Sequence, residues 1–151
     1  MSLSSTYCRA IVGIDAPLVT VEVHLANGLP AFAIVGLPEK AVQEARDRVR
    51  SALINSGYEF PAKRITVNLA PADLPKEGGR FDLAIAIGVL SASGQIASGE
   101  LEACEFIGEL TLSGHIRPVQ GILPVALAAH KSGKALFLPG ANAAEAGLVD
   151  E

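Results

Sequence analysis

Aromatic side chains are scarce in this 151-residue sequence: there is no tryptophan, and two tyrosines and five phenylalanines make up only 5% of it. The core must therefore be mostly aliphatic, and so few rings argue against a base-stacking platform for single-stranded nucleic acid. Positive charge is in deficit as well. Twelve Lys and Arg stand against 16 Asp and Glu, a net charge of −4, so no global basic field draws the chain to DNA or to an anionic membrane. Only a local basic patch is left for such a role. Cys8 and Cys104 are the two cysteines and form no CxxC, which reads as two reduced thiols rather than a disulfide framework. The longest apolar run, residues 83–90, is far too short to span a bilayer, and no signal peptide opens the chain. A cytoplasmic protein with no membrane partner is the expectation.

Recognisable catalytic signatures are missing too. Neither GxxxxGK[ST] nor GxGxxG occurs, so no nucleotide phosphate loop of either kind is expected. His24, His115 and His130 are scattered, without HExxH or Cys/His ligand spacing, and no metal site is expected. No GxSxG elbow marks a hydrolase serine.

What is present is globular: half the residues are hydrophobic and 19% are charged, in a length that suits one domain. Val19, Val21, Val23 and Leu25 alternate with Thr20, Glu22 and His24, the pattern of a half-buried strand. Asn27-Gly28 supplies hairpin turn residues, predicting that PAFAIVGL returns as the partner strand. Pro38 suits a first helical turn and Gly57 a helix stop. Between them Val42, Ala45, Val49, Ala52 and Leu53 recur at helical spacing, predicting one amphipathic helix over 38–56. Ile65, Val67 and Leu69 mark a third strand. A helix over 80–92 is apolar on nearly every side and should be buried, with Gly88 at a close approach to a neighbouring backbone.

EFIGELTLSGHIRPV reads as a second hairpin, followed by a helix over 122–131 and a strand in KALFLP. GANAAEAGLVDE starts another helix, expected to be cut short before further domains. Residues 1–8 are expected to be an N-terminal tail, in part left over from expression, and 9–151 one domain. Hairpins interleaved with helices predict an α+β (α/β) class, a mixed β-sheet with packed helices.

Two places carry candidate chemistry. In APADLPKEGGRFDLAIAIGVLSASG, residues 70–94, a glycine-rich loop enters a helix, whose N-terminus carries orphan N–H groups and partial positive charge. Lys76, Gly78, Gly79 and Arg80 would hold an anion there. The structural alternative is that the glycines only permit a tight turn, Arg80 is solvated and Asp82 caps the first helical turn. The second place is basic: Arg46, Arg48 and Arg50, followed by Lys63 and Arg64. Arg46 and Arg50 share a helix face, and Arg46, Arg50, Lys63 and Arg64 are the nucleic-acid-binding candidates. Glu44, four residues before Arg48, and Asp47 suit a solvated, salt-bridged face instead.

The stretch from PLVTVEVHLANGLPAFAIVGLPEK through RITVNLAPADLPKEGGRFDL, continued in FIGELTLSGHIRPVQGILPVALAA, resembles the N-terminal domain of the YifB/ComM family of magnesium-chelatase-like AAA+ ATPases. The resemblance covers essentially the whole chain from about Arg9. It implies a longer protein with a separate ATPase module, acting as a hexameric motor on DNA, with branch migration during natural transformation among the family's roles. ATP and Mg would belong to that module, and no cofactor is expected in this chain. The implied partners are its own AAA+ domain, the neighbouring subunits of the hexamer and, as an open alternative, DNA.

The same domain is similar to the proteolytic domain of Lon proteases, a fold shared with GHMP kinases and described as ribosomal-protein-S5-domain-2-like. Lon carries its serine nucleophile in a loop reading roughly PKDGPSAG. Here Pro75-Lys76-Glu77-Gly78 matches the first four letters and Arg80 stands in the serine's place. Leu123, in RPVQGILPVALAAHK, stands where the resemblance puts the catalytic lysine. A Ser–Lys dyad needs a hydroxyl to attack and an amine to take its proton; a guanidinium and a leucine supply neither. Arg80 and Leu123 are thus degenerate dyad positions, and a non-catalytic accessory domain is the leading expectation. Two alternatives stay open: a residual hydrolase using Ser91, Ser93 or Ser113 with Lys76, and a phosphate-binding module at 78–81.

Overall fold

Alternating valines build the centre of the molecule. The computed structural model describes residues 2–149. β2 (Leu18–Ala26) and β4 (Arg64–Ala70) run antiparallel side by side, with Val21 opposite Leu69 and Val23 opposite Val67. These four side chains are 0% exposed, while the intervening polar residues lie on the other face, where Asn68 Nδ2 donates to Glu22 Oε1 at 2.7 Å. β1 (Ser2–Arg9) adds antiparallel to β2 and β3 (Ala31–Val35) adds parallel to β4, giving the order β1-β2-β4-β3.

Two expectations are corrected here. Within the expected tail of residues 1–8, Ser2 onward is ordered into the fold: Ser2 to Arg9 form an edge strand whose Thr6, Cys8 and Arg9 are buried (Met1 lies outside the described residues). The first hairpin does not form either, because β4 lies between β2 and β3. The loop from Asn27 to Pro30 has four residues rather than two, room enough for the chain to cross over. β4, with one apolar and one polar face, takes the antiparallel place beside β2, and β3, of which only Ile34 is buried, takes the sheet edge.

The helix predicted over 38–56 is divided at Glu44 into α1 (Lys40–Gln43) and α2 (Ala45–Asn55). The Ala41 carbonyl accepts a bond from Arg48 Nη2 at 2.8 Å, and the backbone turns there. Gly57, at φ +87, follows α2 as the predicted stop. α3 (Asp82–Ala92) is buried on nearly every side and packs on β1, β2 and α2. A methyl group on Gly88 would sit 2.6 Å from Val23 Cγ2, so glycine there lets α3 lie directly on the sheet.

The predicted second hairpin is half right. β6 (Glu109–Leu110) and β7 (Ile116–Arg117) pair antiparallel, but β5 (Cys104–Phe106) leaves them to pair in parallel with β8 (Ala135–Phe137). Phe106 and Phe137 stack across that pair, their rings 5.1 Å apart. In chain order α4 (Ile122–Lys131) follows β7, as expected; α5 (Ala143–Ala146) is a single turn that ends at Gly147 rather than the start of a longer helix, and Asp150 and Glu151 lie outside the described residues. A buried ion pair ties β1 to β5: Arg9 Nε meets Glu105 Oε1 at 2.7 Å and Nη2 meets Oε2 at 2.9 Å. The result is the α+β architecture expected, a mixed sheet with packed helices. Among the described residues no helix is long and apolar enough to cross a membrane.

Candidate functional site

The glycine-rich loop and α4 meet at a cleft of about 490 Å³. Arg80 forms part of its wall and donates from Nη2 to the Gln120 carbonyl at 2.8 Å. Gln120 precedes Gly121, whose φ of +74 turns the chain into α4. Leu123, on the first turn of α4, does not line the cleft; its N–H donates to Glu145 Oε2 at 3.3 Å. The two degenerate dyad positions are therefore linked through the Gln120 turn rather than facing each other across the cleft.

Two amides at the entry to α3 are already engaged. Gly78 N–H donates to Glu39 Oε1 at 2.7 Å, so a carboxylate of the chain itself occupies the place expected for an anion. Leu83 N–H, in the first turn of α3, donates to the Gly108 carbonyl at 3.1 Å. Gly79 is packed against the Glu109 side chain, which a Cβ would overlap. Lys76 corrects the expectation most plainly. It is 0% exposed, and its Nζ donates to the Gly36 carbonyl at 2.5 Å and to the Pro71 carbonyl. Burial pushes its ammonium below the ordinary lysine value. It staples the ends of β3 and β4 and offers nothing to a ligand. Arg80 Nη1 is buried without a partner, and burial pulls the guanidinium's pKa down.

No hydroxyl, thiol or amine lines this cleft. Cys8 Sγ lies behind it, 3.6 Å from the Arg80 carbonyl, and burial pushes that thiol up to about 12 from an ordinary 9.0, leaving it un-ionised at neutral pH. The serines named as alternatives bond elsewhere. Ser91 Oγ accepts from Ser4 Oγ at 2.8 Å, Ser93 Oγ donates to the Leu90 carbonyl at 3.2 Å, and Ser113 Oγ pairs with Thr111 Oγ1 at 2.9 Å. None of them meets Lys76.

Asp82 does not cap α3 with its side chain. Instead Arg48 grips it with both ends of its guanidinium, Nε to Oδ2 at 2.6 Å and Nη2 to Oδ1 at 3.1 Å, while Leu110 N–H donates to Oδ2 at 3.1 Å. The carboxylate is 1% exposed, so the contact is a buried clamp that ties α2, α3 and β6 together. The sequence had suggested only the Glu44–Arg48 surface pair, which is present at 3.4 Å.

The other basic residues gather on the opposite side of α2. Arg46, Arg50 and Lys63 line a groove of about 640 Å³ together with Phe32 and Phe60, whose rings are 5.6 Å apart. Arg50 Cζ lies 5.9 Å from the Phe60 ring centre. Arg64, the fourth candidate, is exposed at the start of β4 and does not line the groove. Sequence reasoning had discounted aromatic stacking from composition, and nothing in the linear order signalled that Phe32 and Phe60 would meet. Among the described residues no cluster of three or more His, Cys, Asp or Glu could hold a metal ion.

Comparison with known proteins places the chain in a family. Residues 21–142 match the family described as subunit ChlI of Mg-chelatase. The chain is 60% identical over 151 residues to competence protein ComM of Haemophilus influenzae, and 56% identical over the same length to a protein named YifB in Salmonella typhimurium. In each case all of this chain is covered, but only 30% of the relative. Similarity to the Lon protease of Mycolicibacterium smegmatis is weaker, 25% over 141 residues, covering 88% of this chain and 18% of the protease. That similarity fits a Lon-like domain. With a family match over 122 residues and relatives 56–60% identical over its whole length, the chain belongs to the Mg-chelatase ChlI family, alongside ComM and YifB.

Proposed function

We propose that this chain is the non-catalytic N-terminal accessory domain of a magnesium-chelatase-like AAA+ ATPase, serving assembly, substrate guidance or DNA contact. The whole protein would act in the cytoplasm as a hexameric, ATP-driven motor on DNA, in branch migration during recombination or natural transformation. The observation that carries this reading is the state of the Arg80 cleft. Its lining has no nucleophile and no proton acceptor of the kind a Lon dyad needs, and its Gly78 amide is occupied by Glu39.

ATP and Mg, implied by the family, do not fit the residues present. The chain has no GxxxxGK[ST] loop, and the one glycine-rich helix entry has its Gly78 and Leu83 amides bonded internally. Their place is in the ATPase module, which would also be this domain's partner together with neighbouring subunits. The Gly78–Glu39 bond weighs against a phosphate-binding module at 78–81.

Two measurements test the proposal. The chain should leave casein and fluorogenic peptides uncut; turnover that co-purifies with it and is abolished by Arg80→Ala or Ser91→Ala would refute an accessory role. The full-length protein should hydrolyse ATP, respond to DNA and sediment as a hexamer, and deleting this domain should alter assembly or DNA handling rather than the ATP site.

A further inference from the structure

The groove beside α2 combines exposed cations with two aromatic rings. Arg46, Arg50 and Lys63 face it with one carboxylate, Asp47, in a chain whose net charge is −4. The described arginines that do form ion pairs, Arg9 and Arg48, hold Glu105, Glu44 and Asp82; among the described residues Arg46, Arg50 and Lys63 form none. Arg46 Nε donates to the Gln43 carbonyl at 3.1 Å and Lys63 Nζ to Asn27 Oδ1 at 2.8 Å, neutral contacts that leave the charges uncompensated. Beneath them lie the rings of Phe32 and Phe60. At about 640 Å³ the groove falls within the roughly 300–1,000 Å³ usual for ligand clefts.

We propose that this groove binds single-stranded nucleic acid, with a base against the Phe32–Phe60 pair and the adjoining phosphates on Arg46, Arg50 and Lys63. Cations set beside rings are what a single strand requires, because its bases are free to stack while its phosphates need positive charge nearby. A duplex hides its base faces and would engage the cations alone. The nucleic-acid class rests on the motor reading given above; the groove's geometry stands independently of it.

The test uses this chain and a labelled oligothymidylate of about 15 nucleotides, near the upper site size of single-strand binding folds, titrated at roughly 50 and 200 mM salt. Binding should be weak, fall with salt and exceed binding to a duplex of equal length. Arg46→Ala with Arg50→Ala should reduce the salt slope by about 1.4, some 0.7 per lost phosphate contact. Phe60→Leu, which keeps apolar bulk while removing the ring, should weaken binding roughly ten-fold at both salts without changing the slope. Arg64→Ala, outside the groove, should change neither quantity. Photocrosslinking through 5-iododeoxyuridine should label the segment around Phe60. Absence of binding at the lower salt, equal binding to duplex, or equal losses from Arg64→Ala and the groove variants would overturn the proposal. In the full-length protein the groove variants should weaken single-strand binding. If they leave it intact, the groove assignment fails and the motor reading survives; if the unaltered protein ignores DNA altogether, the motor reading fails.

Discussion

The Arg80 cleft and the Phe60 groove are both lined by arginine, and they differ in what those arginines touch. Around the cleft Arg80 donates to a backbone carbonyl, Gly78 is bonded to Glu39, Lys76 sits on two carbonyls and Arg48 clamps Asp82. In the groove, Arg46, Arg50 and Lys63 are exposed and lack carboxylate partners among the described residues. The loop that looks like an anion site in sequence has become internal scaffolding, while the helix face that looks merely solvated retains unopposed charge. Cations held inside the fold, on carbonyls or on Asp82, tie its elements together. Charge left unopposed at a surface is available to a ligand.

Breaking the clamp should give the largest effect. Arg48→Ala leaves the buried Asp82 carboxylate without its cation, a change of about 3 kcal/mol or more, or a Tm lower by roughly 6–12 °C. Burial already pushes the Asp82 carboxyl above its ordinary value of 3.8. The folded state of the variant therefore takes up a proton at a pH where the unfolded chain remains ionised, and stability from this group rises as pH falls toward the carboxylate range. Urea unfolding near neutral pH and at about pH 5 should show the deficit narrowing on acidification; a widening deficit would contradict the burial of Asp82.

Cys8, behind the cleft, gives the next effect. Its thiol is held near 12 in the fold against 9.0 otherwise, so the unfolded chain loses that proton first and stability falls as pH rises from 9 towards 12. The contribution is about 1 kcal/mol per pH unit. A thiol reagent at mildly alkaline pH should label the partly exposed Cys104 and leave Cys8 untouched until denaturant is added. Early labelling of Cys8 would mean that the cleft wall is open.

Glu39→Ala sharpens the contrast by reversing it. Freeing the Gly78 amide beside Arg80 should make the cleft receptive to phosphate. The variant should gain up to about 1 kcal/mol in phosphate buffer relative to chloride, seen as a Tm rise that the unaltered chain lacks. The smallest effect belongs to the groove: Arg46→Ala and Arg50→Ala should each leave stability within about 0.5 kcal/mol, as exposed substitutions do, even where they reduce binding.

Some of the fold was legible because the pattern is local. The period-two apolar residues of β2 and β4, the helical spacing of residues 45–53 and Gly57 as a stop each depend on neighbours a few residues away. What was not legible depends on distant partners. Asn27-Gly28 looked like a hairpin turn, and only the claim of β4 on the edge of β2 excludes it. Asp82 looked like a helix cap until Arg48, 34 residues earlier, arrived opposite it. Lys76 looked like an anion ligand, although its position beneath Gly36 and Pro71 turns its ammonium inward.

By itself, then, the sequence determined the class of fold, through short-range spacing, and the family, through resemblance of whole motifs. The tertiary structure decided which charges are neutralised and which remain free, and it brought Phe32 and Phe60 to the same groove as Arg50. Electrostatic pairing and ring stacking depend on separation in space, and the chain's path, not its order of residues, sets that separation.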